Sequence, residues 1–92
     1  MAFALPPMPA GLTHNVADDY LSLCQQGLRA CADHFVTIDA SALQDFDSSA
    51  LAVLLSVRRA AVASGKELHV TGLPPRLREL AGLYGVADLL PA

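Results

Sequence analysis

Charged side chains are scarce in this sequence. Asp, Glu, Lys and Arg make up only 16% of its 92 residues, whereas 53% are hydrophobic. This composition argues against intrinsic disorder and favours a compact globular fold. The length suits one small domain, so we expect a single domain over residues 1–92. The low charge content also suggests that a partner covers part of an apolar surface.

A basic stripe is also missing. The six Lys and Arg residues are scattered along the chain, and the formal net charge is −3. Proteins that bind nucleic acid cluster their positive charge on one face, often with interleaved aromatic residues. The sequence therefore predicts no nucleic-acid partner.

The sequence has no long hydrophobic run. The longest, residues 50–57, is interrupted by Ser56 and followed by Arg58 and Arg59, whereas a membrane span needs about 20 apolar residues. The N-terminus lacks the basic region of a signal peptide, and prolines interrupt its apolar residues. We therefore expect a cytoplasmic chain that does not insert directly into a membrane.

The two cysteines, Cys24 and Cys31, are seven residues apart on a predicted helix. This spacing separates them by about 10 Å, which is too far for a disulfide. Together with His34 they match no familiar metal-ligand spacing, so we expect no metal. The GxSxG, GxxxxGK[ST] and GxGxxG motifs are absent as well, and so we predict no catalysis and no cofactor.

Periodicity predicts an alternation of strands and helices. Residues 1–10 contain three prolines and are expected to be weakly structured or to form an edge strand near Phe3–Leu5. Helices are predicted at residues 15–32, capped by Asn15, at 48–63, and from Pro75 to about residue 84. Strands are predicted at residues 35–39 and 67–71, and a short strand or tail at 86–91. Residues 40–46 are expected to be a loop.

This order predicts a small α/β domain with parallel strands. His69, in the last full strand, has no partner near it in sequence. We expect it to be an ordinary surface histidine.

The stretch DFDSS lies between a predicted strand and a predicted helix, at the sheet end where ligands and partners usually bind. Asp47 or Ser48 could cap the helix. Ser48 could alternatively accept a phosphate at the helix N-terminus. A nucleophilic serine is disfavoured because no histidine is placed by sequence to act as its base. The candidate interface residues here are Asp45, Asp47, Ser48 and Ser49.

Helical spacing places four further positions on one side of the helix. Ser48, Ala52, Ser56 and Arg59 form a strip that is smaller and more polar than the opposite, leucine-rich side. A partner could cover this strip, with Arg59 as an anchor. Alternatively, Arg58 and Arg59 form a solvated helix end that interacts with the helix dipole.

Two segments resemble the core signature of STAS domains, the fold of the anti-sigma factor antagonists. They are residues 38–43 (IDASAL) and 46–51 (FDSSAL), and the resemblance continues into the C-terminal GLPPRLRELAGLYGV. The short chain and this C-terminal pattern are most similar to the small STAS subunit of the Mla lipid-transport system. The resemblance implies a small STAS-like α/β domain, in which helices pack on a mixed, mostly parallel sheet.

The resemblance also implies a function. STAS subunits of this type bind the cytosolic ATPase of an inner-membrane ABC transporter, and through it the permease, without catalysing a reaction. The complex moves phospholipid and helps to maintain outer-membrane lipid asymmetry. We therefore expect a cytoplasmic chain that is peripheral to the inner membrane through its complex, with a weak homodimer as a further candidate association. Ser48 matches the hydroxyl position that is phosphorylated in anti-sigma factor antagonists.

Two alternatives stay open. The chain could be a phospho-switched anti-sigma factor antagonist under a serine kinase, or a generic interaction domain in which DFDSS is only a cap. Ala50 replaces the glycine that is usual in the signature. We expect this alanine to alter the approach of a kinase backbone, which favours docking over switching.

Overall fold

Five short strands and three helices follow one another along residues 2–86, the part of the chain that this computed structural model describes. The strands are β1 (Ala2–Ala4), β2 (Gly11–Leu12), β3 (Phe35–Asp39), β4 (Asp45–Phe46) and β5 (Glu67–Thr71). The helices are α1 (His14–Ala30), α2 (Ser48–Ala63) and α3 (Pro75–Leu83).

The strands form two parallel sheets. The main sheet has the order β1-β3-β5, with Val36 of β3 in register with Phe3 on one side and Leu68 on the other. A two-residue ladder joins β2 to β4, pairing Gly11 with Asp45. This architecture confirms the predicted small α/β fold, and all strand pairs within residues 2–86 are parallel.

The main sheet has one buried and one open face. Along β3 and β5, Val36, Ile38, Leu68 and Val70 are buried in the core with the apolar sides of α1 and α2. The alternate side chains of both strands are exposed or half-buried. This alternation is the period-two pattern of a strand with one side on the core.

The central elements lie where the sequence predicts them. Strands β3 and β5 have the predicted bounds, α2 begins at Ser48, and Pro75 is the first residue of α3. Gly65 has a φ of 75°, the left-handed conformation expected just after α2. β1 begins one residue before the predicted edge strand, and Leu5 extends it with a 2.8 Å bond from its N–H to the carbonyl of Thr37.

Four details of the prediction differ from the structure. The N-cap of α1 is Thr13 rather than Asn15, and α1 ends at Ala30. Residues 45–46 form β4 instead of belonging to a loop, because β2 offers them a backbone ladder. The helical period also predicts that Val16 and Tyr84 belong to apolar stripes, yet their side chains are 40% and 60% exposed. The strand or tail predicted at residues 86–91 lies outside the described residues from position 87 onward.

Both cysteines are buried and free, as the spacing predicts. Burial raises the pKa of the Cys24 thiol, because the apolar surroundings disfavour the thiolate. Within residues 2–86, no helix is both long enough and apolar enough to cross a membrane.

Candidate functional site

Asp47 fixes the start of α2. It is the N-cap, and its Oδ1 accepts a 2.8 Å hydrogen bond from the backbone N–H of Ser49. The second carboxylate oxygen, Oδ2, accepts a longer bond of 3.4 Å from the backbone N–H of His14 at the start of α1. One side chain therefore satisfies free N–H groups at the beginning of two helices. The predicted cap is confirmed, with Asp47 as the capping residue.

Hydrogen bonds hold the pKa values of two carboxyl groups at this end of the sheet below their usual range. For Asp47 the main cause is the bond from the Ser49 backbone, to which the contacts with His14 add. For Asp39, at the end of β3, the cause is hydrogen bonding with Ser41, whose backbone N–H lies 2.9 Å from Oδ1. Both side chains therefore carry a negative charge at neutral pH.

The strip predicted on α2 is present at the surface. Ser48, Ala52 and Arg59 are exposed and Ser56 is half-buried. Ser49, one position round the helix, is half-buried, whereas Asp45 in β4 is exposed. We refer to Ser48, Ala52, Ser56 and Arg59 as the α2 strip.

A groove between α1 and α2 borders the α2 strip on one side. It encloses about 330 Å³. Residues from both helices line it: His14, Ala17, Asp18, Leu21, Ser49, Ala52, Val53 and Ser56. We call it the interhelical groove. Its lining combines small, apolar and polar side chains, including the exposed Asp18, so the α2 strip adjoins a concave surface.

A second groove lies on the other side of the strip. It is lined by Leu55, Arg58, Arg59, Val62 and Val86. Val62 is 56% exposed, which is high for a large apolar side chain on a helix that packs against the core. We call this the arginine groove. Arg59 therefore belongs both to the α2 strip and to the edge of an apolar depression.

Charge changes sign along this surface. Asp45, Asp47 and Asp18 lie near the N-terminal end of α2, whereas Arg58 and Arg59 lie toward its C-terminal end. Eleven residues of helix separate Ser48 from Arg59, which corresponds to about 16 Å. A partner that matches this surface would carry the opposite order of charges along the same length.

The geometry does not assemble a hydrolytic site. The fold brings His14 beside Asp47, with 3.8 Å between Nδ1 and Oδ2, which the sequence did not predict. However, the His14 side chain is 76% exposed, and the described residues include no hydrogen bond between a histidine ring and Ser48 or Ser49. Asp47 serves as a helix cap here. Within residues 2–86, no group of three or more His, Cys, Asp or Glu side chains is placed to hold a metal ion.

Ala50 does not affect the surface that a partner would meet. It is fully buried, so its methyl group points into the core. The interpretation that this alanine changes the approach of a kinase backbone is therefore wrong. Replacing glycine at a buried helical position improves helix propensity and leaves the exposed Ser48 untouched.

Sequence reasoning missed the contribution of α1 to the site. His14, Asp18 and Leu21 line the interhelical groove, yet only the α2 side had been predicted. The available signal was Ala17 and Leu21, which are four residues apart and so share one side of α1.

A sequence model described as "Mlab, STAS domain" matches residues 12–91. The chain belongs to the MlaB-type STAS domain family. A search of curated proteins gives no match to this chain. STAS domains are generally non-catalytic and serve regulatory or accessory roles. In this STAS domain, Asp47 and Ser48 stand at the start of α2, and the two grooves extend the surface around them.

Proposed function

We propose that this STAS domain is a non-enzymatic accessory subunit of an inner-membrane phospholipid-transport ABC complex. It binds the cytosolic ATPase, and through it associates with the permease at the inner membrane. In this role it supports assembly and activity of the ATPase and helps to maintain outer-membrane lipid asymmetry.

The main support for this proposal is the α2 strip, which has a groove on each side. An exposed helix side with small residues in its middle allows a partner to approach closely, and the grooves on both sides offer apolar contact area. Membership of the MlaB-type family supports the choice of an ABC-transporter ATPase as the partner.

The charge order specifies how the partner would dock. The acidic end near Asp47 and Ser48 faces basic residues of the ATPase, and the arginine groove faces acidic and apolar ones. Arg59 contributes most, because arginine is enriched at energetically dominant interface positions and its flanking apolar side chains exclude water.

Two charge-introducing variants test the interface. Arg59→Glu should weaken binding to the purified ATPase by about 30-fold, because it reverses the charge of a dominant interface position. Ser48→Glu should weaken binding by a similar factor, because its longer side chain does not fit where the partner closely approaches the small residues of the strip, and this outweighs the added negative charge. Ser48→Glu should leave the fold intact, because a carboxylate is favourable at a helix N-terminus. Pull-down yield and titration against the ATPase measure the effect.

Matched controls distinguish an effect of the position on the α2 strip from a general effect of the altered charge. Ala32→Glu, just after α1, and Arg78→Glu on α3 make the same changes in charge at exposed positions outside the strip and both grooves. They should bind as the unaltered chain does. Unchanged binding of both Ser48→Glu and Arg59→Glu would contradict the interface assignment.

A phospho-switched anti-sigma factor antagonist is the second candidate. It is favoured by the exposed Ser48 at the start of α2, where the first turn provides N–H groups for a phosphate. Intact mass of the protein from native cells tests it. A species heavier by one phosphate and absent in Ser48→Ala would support the switch, and its absence in every growth state would contradict it.

A further inference from the structure

The outer edge of β5 is an unpaired strand edge within residues 2–86. β5 is the last strand in the order β1-β3-β5 and has a ladder only with β3. Glu67 donates its N–H to the carbonyl of His34, and Thr71 accepts from the N–H of Ala40, so the odd-numbered residues bond inward to β3 and its flanking residues. The N–H and C=O groups of Leu68 and Val70 consequently point to the opposite edge.

Such an edge is a template for another strand, and proteins commonly block it with charged side chains. β5 carries two polar side chains of complementary kind on its open face. Glu67 Oε1 lies 3.2 Å from His69 Nε2, and both side chains are substantially exposed, at 56% and 42%. The His69 ring also lies 5.9 Å from that of Phe35 on the neighbouring strand, which holds it on the sheet face.

We propose that this edge pairs with β5 of a second copy of the same chain, in antiparallel orientation, to form a continuous six-stranded sheet. In the proposed register, Leu68 of one copy lies opposite Leu68 of the other. This register fits the backbone, because the N–H and C=O groups of Leu68 point to the open edge. In this register Leu68 occupies a hydrogen-bonded pair, so Glu67 faces His69 of the other copy in the adjacent non-hydrogen-bonded pairs.

The pairing of an acceptor, Glu67, with a donor, His69, selects a second copy over an unrelated strand. Two-fold symmetry creates two Glu67–His69 pairs across the interface, and each adds to the Glu67–His69 contact already present within one chain. Cross-strand pairs are closest at non-hydrogen-bonded positions, where complementary side chains stabilise and like charges destabilise pairing. Glu67 and His69, which discourage pairing of β5 with other strands, would thus stabilise its pairing with β5 of a second copy.

Sedimentation velocity of the whole chain over a range of concentrations tests the proposal. We expect a reversible dimer in which His69→Glu and Glu67→Lys each raise the dissociation constant by about tenfold, because each change disrupts two cross-strand pairs. The double variant Glu67→Lys/His69→Glu restores complementarity with the roles exchanged, and should return close to the unaltered value.

A control and a local measurement keep the test specific. Glu79→Lys makes the same charge change on the exposed side of α3 and should not alter dimerisation. Hydrogen exchange of the Leu68 and Val70 amides should slow as protein concentration rises. The proposal would be overturned if the chain remained monomeric up to about 1 mM. It would also be overturned if the protection of these amides did not depend on concentration, or if the double variant dimerised no better than the single variants.

Discussion

Asp47 and His14, separated by 33 positions in the sequence, are joined at the start of two helices. The His14 backbone N–H donates to Asp47 Oδ2 at 3.4 Å, while Asp47 Oδ1 accepts from Ser49 at 2.8 Å. The carboxylate also lies where the positive ends of both helix dipoles favour negative charge. The cap of α2 thereby helps to set the position of α1, and with it the interhelical groove.

Removal of this cap should lower stability. We expect Asp47→Ala to reduce the melting temperature by several degrees, because the N–H groups of Ser49 and His14 lose their acceptor. Asp47→Asn should retain most of the stability, since its amide oxygen can still accept the Ser49 bond. Thermal unfolding followed by circular dichroism measures both variants.

The comparison needs a nearby acidic control. Asp45 is exposed, and its side chain makes no hydrogen bond or ion pair with other residues of the described region. Asp45→Ala should therefore melt close to the unaltered chain. An equal loss of stability in Asp45→Ala and Asp47→Ala would indicate a general charge effect instead of a specific cap.

Stability should fall in acid partly because of the same carboxylate. The folded-state pKa of Asp47 is lowered by its hydrogen bonds, so the group stabilises the fold above its unfolded pKa of about 3.9. That stabilisation is lost as the pH falls through the folded pKa. We expect the urea midpoint of the unaltered chain to drop more than that of Asp47→Asn between about pH 6 and about pH 2.5.

Part of this acid dependence should persist in the variant. The pKa of Asp39 is also lowered, and this residue lies at the end of β3 with Ser41 as its partner, so Asp47→Asn leaves its contribution in place. The double variant Asp47→Asn/Asp39→Asn should show the flattest profile. Parallel profiles for all three proteins would show that neither carboxylate contributes.

Gly72 should not tolerate a side chain. Its φ is +67°, and an added Cβ would lie 2.8 Å from Ser41 Cβ and 3.0 Å from the Ser41 backbone. Gly72→Ala should therefore destabilise the fold by about 1–3 kcal/mol, because backbone strain and the clash with the β3–β4 loop act together. Urea unfolding measures the change.

Gly82 provides the matched glycine control. It lies in α3, and an added Cβ would meet no atom of the described residues within 4 Å. Gly82→Ala should stabilise the chain by up to about 1 kcal/mol, through its higher helix propensity. A stable Gly72→Ala variant would contradict the close packing of the two loops.

The elements with strong local signals were predictable from sequence. The β-branched and aromatic residues of β3 and the wide apolar side of α2 each determine their own conformation. The capping role of Asp47 followed from its position directly before a helical pattern. Pro75 marked a helix start, because its ring fixes φ and its missing N–H has no helical partner at the first position.

Features that depend on distant residues were not predictable. The ladder between Gly11 and Asp45 consists of two residue pairs and has no periodic pattern to reveal it. The contact between His14 and Asp47 exists only because α1 and α2 pack side by side. The N-cap of α1 is Thr13 instead of the predicted Asn15, and the Thr13 side chain makes no capping bond that a sequence pattern could reveal.

The two edges of the main sheet differ in whether they can pair with a further strand. At the other edge, β1 is only three residues long, and Pro6 and Pro7 follow just after it, before Met8 donates its N–H to Asp39. Proline has no N–H to offer an incoming strand, so this edge terminates pairing. If β5 pairs with a second copy as proposed, the blocked edge at β1 would leave a closed pair of chains, which could not grow without limit into a fibre.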